Sequence, residues 1–343
     1  TNAEFTKSLM ALTPTGFKFT SADSDVNGSN DSYIYIAFRR PNKPPSAGTD
    51  VFAVDTRGST GDGKRPTYRA PFPVDMEFHK NVNYSGGGTP FATRLKQGKY
   101  MHTYSTGAEN TSAGMTFDYN NGVQDNTGTG PDQYAWMFKR APGFFDVIVY
   151  HSESTSSLIL NHNLGVVPEM MIAKRTSHAN HWATYHKDIN GLVYLNQDSS
   201  LSSGLTDRFS QTPTATQVFL GSDSEVNYQT NTYTLLLFAT LSGVSKVGSF
   251  TGTGSDINVD CGFTAGARFV MIKRTDSSGD WYIYDSLRGI VNGNDPYLLI
   301  NSNNAQVTNT DYIDPLNAGF TITSSAPAAL NASSGTYIFL AIA

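Results

Sequence analysis

Val226–Phe238 reads VNYQTNTYTLLLF, a polar opening rich in turn formers followed by a nearly unbroken apolar run. The phrase recurs as VNGSNDSYIYIAF at Val26–Phe38 and as LNASSGTYIFLAI at Leu330–Ile342. The Asn supplies a short side chain that bonds nearby backbone and tolerates left-handed geometry, and the Tyr enters a strand it favours. Because TYTLLLF is apolar at successive positions, the strand should be covered on both faces or lie centrally in a sandwich.

The recurrence is regular. Tyr33, Tyr134, Tyr233 and Tyr337 are separated by 101, 99 and 104 residues, and Asn27, Asn126, Asn227 and Asn331 by 99, 101 and 104. Phe38, Phe138 and Phe238 are 100 apart, as are Gly143 and Gly243. A second landmark, FPVDMEFHK, VVPEMMIAKRT and ARFVMIKRT, carries Lys80, Lys174 and Lys273; Trp182 and Trp281 each follow their lysine by eight residues. Such coincidence marks a tandem array. Its units run 49–145, 146–244 and 245–343, and residues 1–48 read as the C-terminal half of a fourth. The proline-rich Arg39–Gly48 is the most linker-like joint. The other joints are short, so neighbours should pack as sandwiches set end to end. With several short strands and Gly/Asn/Ser turns in each unit, the expected class is all-β, as jelly-roll or lectin-like sandwiches.

Composition agrees. Charged residues are 15% of the chain, below the roughly 25% of ordinary soluble domains. The net charge of -5 and pI near 5.8 argue against nucleic acid or an anionic membrane as partner, since both need a basic face. The lone Cys261 permits no internal disulfide and reads as a small buried hydrophobe. There is no apolar run of membrane-spanning length. The opening TNAEFTKSLM has neither an initiating Met nor a signal-like core, which suggests that residue 1 is not the start of the gene product.

The segments LNHNLGVVPEMMIAKRTS, GARFVMIKRTD, GDWYIYDSLRGIVNGNDPYLLIN and GTYIFLAIA resemble a family of repeat modules found in marine bacteriophage virion proteins. YIAFRRPNKPPSAGTDVFAVDTRG and WMFKRAPGFFDV are similar to segments of the same family. The resemblance spans nearly all of 16–343 and implies a structural part of a phage particle, above all a tail fibre. The first complete unit departs from it: EFHKNVNYSGGG lacks the Trp that follows the lysine elsewhere.

Candidate chemistry is sparse. His162, His178, His181 and His186 could gather around a metal, yet 245–343 has no comparable cluster, so packing and loop histidines are expected, and no metal or cofactor. Asp280 and Asp285 flank WYIY but are separated by an odd offset, which places them on opposite strand faces. Trp182 with Tyr185, and Trp281 with Tyr282 and Tyr284, form the candidate ligand or partner surface, against the alternative that each Trp plugs its own sandwich. Lys174, Arg175, Lys273 and Arg274 read as edge gatekeepers or salt-bridge partners. The expectation is a non-enzymatic virion protein, tail-fibre or tail-associated, acting as spacer and host-surface adhesion module. Its partners would be other virion proteins and a host glycan or receptor, with a homotrimer expected by analogy with fibres. The alternatives are a capsid decoration or structural glue protein and a polysaccharide depolymerase.

Overall fold

In the computed structural model the described residues are 9–13, 16–19, 21–37, 43–57, 65–111, 115–126, 132–152 and 156–343. They form an all-β protein whose helices are turns of three or four residues, such as Leu205–Arg208 and Ala328–Asn331. The main sheets are built from consecutive stretches of chain and share one plan. An opening strand (Phe52–Thr56, Phe145–Ser152, Ser245–Thr251) lies beside a closing strand (Gln133–Phe138, Asn231–Phe238, Thr336–Ile342). Next comes a lysine strand (Met76–Asn81, Met170–Arg175, Phe269–Arg274), and then a strand that carries the tryptophan in the last two units (Pro90–Thr93, Trp182–His186, Trp281–Asp285). All these pairings are antiparallel. A smaller two- or three-stranded sheet faces each main sheet, as Ile257–Asp260, Gly319–Ile322 and Ile313–Leu316 do in the last unit.

The closing strand shows why its sequence is apolar throughout. Tyr233, Leu235 and Leu237 point into the core between the two sheets of their own unit, and Leu236 and Phe238 point the other way. Tyr337, Phe339 and Ala341 alternate likewise with Ile338, Leu340 and Ile342. The outward set does not meet solvent. Trp136, Phe138, Leu236, Phe238, Leu340 and Ile342 belong to one continuous buried cluster drawn from all three main sheets. Each unit is thus a sandwich with a private core, and the three are fused through a fourth, shared core. The end-to-end arrangement expected from sequence gives way to this fusion, because a strand apolar on both faces must bury both.

The connections are tight. Gly143 and Gly243, at φ 77° and 70°, turn the chain between bridged pairs Ala141/Phe145 and Leu241/Ser245. These left-handed positions explain the glycines. Gly48 packs against the Ala343 backbone, bringing the start of the first complete unit to the end of the last.

Register corrects one alignment. Lys80, Lys174 and Lys273 pair with Tyr134, Thr234 and Ile338, while Tyr233 and Tyr337 pair with Arg175 and Arg274. Gln133, not Tyr134, therefore occupies the position of Tyr233 and Tyr337. Tyr134 is shifted by one residue and so faces the shared core.

Residues 21–37 retain the local motif without the strand. Tyr33 Oη donates to Ser24 O at 2.6 Å, as Tyr233 does to Ser224 O (3.0 Å) and Tyr337 to Ala328 O (2.7 Å), nine residues back in each case. Residues 31–37 pair with no strand among the described residues, and Met10–Thr13 pairs only with Gly16–Phe19. Phe38 and the start of the proline-rich joint, 38–42, lie outside the described residues.

Candidate functional site

Where neighbouring units meet, each contributes one buried lysine. Lys174 and Lys273 lie on interior strands, with a closing strand on one side and a tryptophan strand on the other, so neither is an edge gatekeeper. Each is buried, and its ammonium reaches a backbone carbonyl of the neighbouring unit: Lys80 to Ser302 (2.7 Å), Lys174 to Thr106 (2.9 Å), Lys273 to Asp198 (2.9 Å). Two residues beyond each lysine, Val82, Thr176 and Thr275 accept from Gln306 N (2.7 Å), Glu109 N (2.8 Å) and Leu201 N (3.0 Å) of the same neighbours. First unit to third, second to first, third to second: the contacts are cyclic and close a ring. Burial pushes all three ammonium groups down to about 8, and at Lys273 it outweighs the opposing pull of the Asp198 and Asp280 carboxylates.

The indoles complete the joints. Trp182 and Trp281 are buried, and their Nε1 groups donate to Ser105 O (3.0 Å) and Tyr194 O (2.9 Å) across unit boundaries. In the first unit Thr89 sits opposite Lys80, accepting its ammonium at 3.3 Å. The indole has moved to the closing strand as Trp136, where the other units carry Leu236 and Leu340, and its Nε1 donates to Asp285 Oδ2 at 3.1 Å. The residues read from sequence as a ligand surface are mostly enclosed. Trp182 and Trp281 join units rather than plugging a private core, Tyr282 and Tyr284 belong to the core of the last sandwich, and half-buried Tyr185 packs on Phe209 at 5.7 Å.

The titratable candidates are similarly committed. Asp285 accepts the Trp136 indole, Arg288 Nε (2.5 Å) and the Leu287 and Arg288 amides, while Asp280 accepts from Asn301 (2.7 Å). His162 is buried between Leu164 N and Thr214 O, and His186 is buried with its ring pushed down to about 4 by desolvation. His181 packs on Tyr194, and His178 is exposed. No group of three or more potential metal ligands occurs among the described residues. Cys261 lies in the last private core, its thiol pushed up to about 12 by burial. Among the described residues no helix is long and apolar enough to cross a membrane.

Two features were not read from sequence. The first is a buried ionic network in the first unit. His79 Nδ1 lies 3.2 Å from Glu77, its Nε2 lies 3.8 Å from Asp125, and Asp125 is paired with Arg57 at 2.9 Å. Burial alone would lower His79, but the Glu77 carboxylate and then Asp125 outweigh it and hold the imidazole above 6.5. Met171/Ala173 and Val270/Ile272 occupy the Glu77/His79 positions in the other units, so comparison within the repeat carried the signal. The second is an open polar cleft of about 430 Å³ where the second unit meets the third. The turn residues Lys187 and Asp188 form one wall, and Lys246 and Gly248–Phe250 of an opening strand, Asn258–Asp260 of the facing sheet and Phe339 form the rest. Both strands are at sheet edges.

Residues 138–343, more than half of the chain, match a family model described as a domain of unknown function, DUF7483. A search of curated proteins returns no match. The matched region begins at the end of the first closing strand and takes in both units that carry the lysine-tryptophan pair. The chain belongs to the DUF7483 family.

Proposed function

We propose that this chain is a non-enzymatic structural component of a bacteriophage particle, tail-fibre or tail-associated, which serves as a rigid spacer and carries a host-surface adhesion module. The observation that supports it most is the shared core. Lysines, tryptophans and Asp285, the side chains with most chemical potential, are used to lock three sandwiches into one body. A fused body of this kind transmits geometry without hinges, as a spacer must. Copies displayed on a particle, in a trimeric fibre by analogy, would multiply weak contacts to host glycans. Labelling intact particles with antibody to the chain should decorate the tail, and purified protein should compete with adsorption to host cells. Label on the capsid faces, together with no competition, would overturn the reading.

One observation favours a second reading, attachment to other virion proteins as a decoration or glue. Ile34, Tyr35 and Ile36 carry the closing-strand pattern but are 102%, 72% and 81% exposed. An apolar segment whose backbone pairs with no strand among the described residues can add itself to the sheet edge of another chain. Replacing Ile34 and Ile36 with Lys should abolish retention on the particle under this reading and leave host-cell binding intact.

A further inference from the structure

We infer that the cleft between the second and third units is a binding site for an uncharged saccharide; this rests on the adhesion reading and names its ligand class. The cleft's size lies within the ~300–1,000 Å³ usual for small-ligand sites. Its wall chemistry selects the ligand. Lys187 is paired with Asp188 at 2.8 Å, so that side is close to neutral. Opposite, Lys246 makes no ion pair among the described residues, and Asp260 gives one oxygen to Gly262 N at 2.8 Å. A phosphate or other anion entering would meet Asp188 and Asp260, and a cation would meet Lys187 and Lys246. Either would lose as much as it gained.

A neutral polyol fits the walls, because each hydroxyl both donates and accepts. Acceptors stand in the two carboxylates and donors in the Lys246 ammonium. Exposed Asn258 uses its carbonyl oxygen to accept from Thr321 Oγ1 at 2.8 Å, which leaves its amide N–H groups for a ligand. Partly buried Phe250, packed on the last private core and stacked on Tyr337 at 4.9 Å, lends its remaining open edge as an apolar surface of the kind on which sugar C–H faces rest. The floor is peculiar to this unit. Gly248 pairs with Phe339, whose ring lies over it so closely that an added Cβ would meet it at 2.7 Å. The corresponding position in the second unit is Ile148, buried in its own core.

The test is saturation-transfer NMR and calorimetric titration of the intact chain with glucose, galactose, mannose, N-acetylglucosamine and their short oligomers. At least one should bind saturably with a millimolar dissociation constant. Asp260→Ala and Asn258→Ala, both at exposed positions, should each weaken binding about tenfold while leaving circular dichroism and melting temperature unchanged. Absence of saturable binding to all of them, binding unaltered in both variants, or binding of inorganic phosphate in preference to sugar would each overturn the assignment. Tail labelling and adsorption competition remain separate readouts, so failure here is distinguishable from failure of the virion reading.

Discussion

Asn227 and Asn331 show how much a single residue of this repeat decides. Each is buried, with its side-chain amide bonded to backbone carbonyls, Gly221 O at 2.9 Å and Thr323 O at 3.0 Å. Three residues later the backbone turns left-handed, at Asn30, Thr230 and Ser334, with φ of 66°, 64° and 63°. A β-branched residue is strained there. Thr230→Gly should therefore raise stability by about 0.5–1 kcal/mol in denaturant melts, and Thr230→Val should lower it. The buried lysines make a sharper prediction. Burial depresses the folded ammonium from 10.5 to about 8, so between those values the unfolded chain binds more protons and stability rises with pH. The rise ends near pH 10, where tyrosines ionise in the unfolded chain while burial keeps Tyr150 and Tyr284 neutral in the folded one. Lys174→Met leaves the Thr106 and Asn180 carbonyls without their donor, at a cost of about 1–3 kcal/mol near neutrality. Because the variant lacks the titrating group, the gap between wild type and variant should widen from pH 7.5 to 9.5. A gap constant across that range would rule out a depressed lysine.

At the scale of the element, the closing and lysine strands were legible in the sequence because apolar runs, asparagine turns and lysines repeat at fixed spacing. The register of the first unit was not. Tyr134 matches the spacing of Tyr233 to within a residue, but one residue in a strand exchanges faces, and only pairing with Lys80 reveals the shift. The departure of that unit from the tryptophan pattern was visible, and its resolution was not, because Thr89 and Trp136 exchange volume between strands far apart in sequence. The Glu77–His79 network carries its own prediction. His79→Ala leaves Glu77 buried and unpaired and should cost roughly 3–5 kcal/mol. Glu77→Met with His79→Ala, which installs the Met171 and Ala173 of the second unit, should cost less than the single change. With its pKa raised, His79 contributes fully below pH 6.5, and the contribution is lost as pH rises through the folded value. Melts of wild type and the double variant should therefore converge on the alkaline side. A double variant weaker than His79→Ala would contradict the equivalence of these strands.

Over the whole molecule, the sequence predicts sandwiches, and the structure adds the way they are joined. Nothing in a strand's own pattern distinguishes a face buried against a partner sheet of its own unit from one buried against two neighbouring units; both are simply apolar. The fused core makes the three units interdependent for stability, unlike sandwiches on a string. Leu236→Ala, a cavity of about 2–5 kcal/mol placed in the shared core within the second unit, distinguishes the two arrangements. Native-state hydrogen exchange of this variant is the most direct measurement. The ring predicts lost protection in the lysine and closing strands of all three units, Met76–Asn81 and Thr336–Ile342 included. Loss confined to strands between 145 and 238, with the first and third units as protected as in wild type, would contradict it.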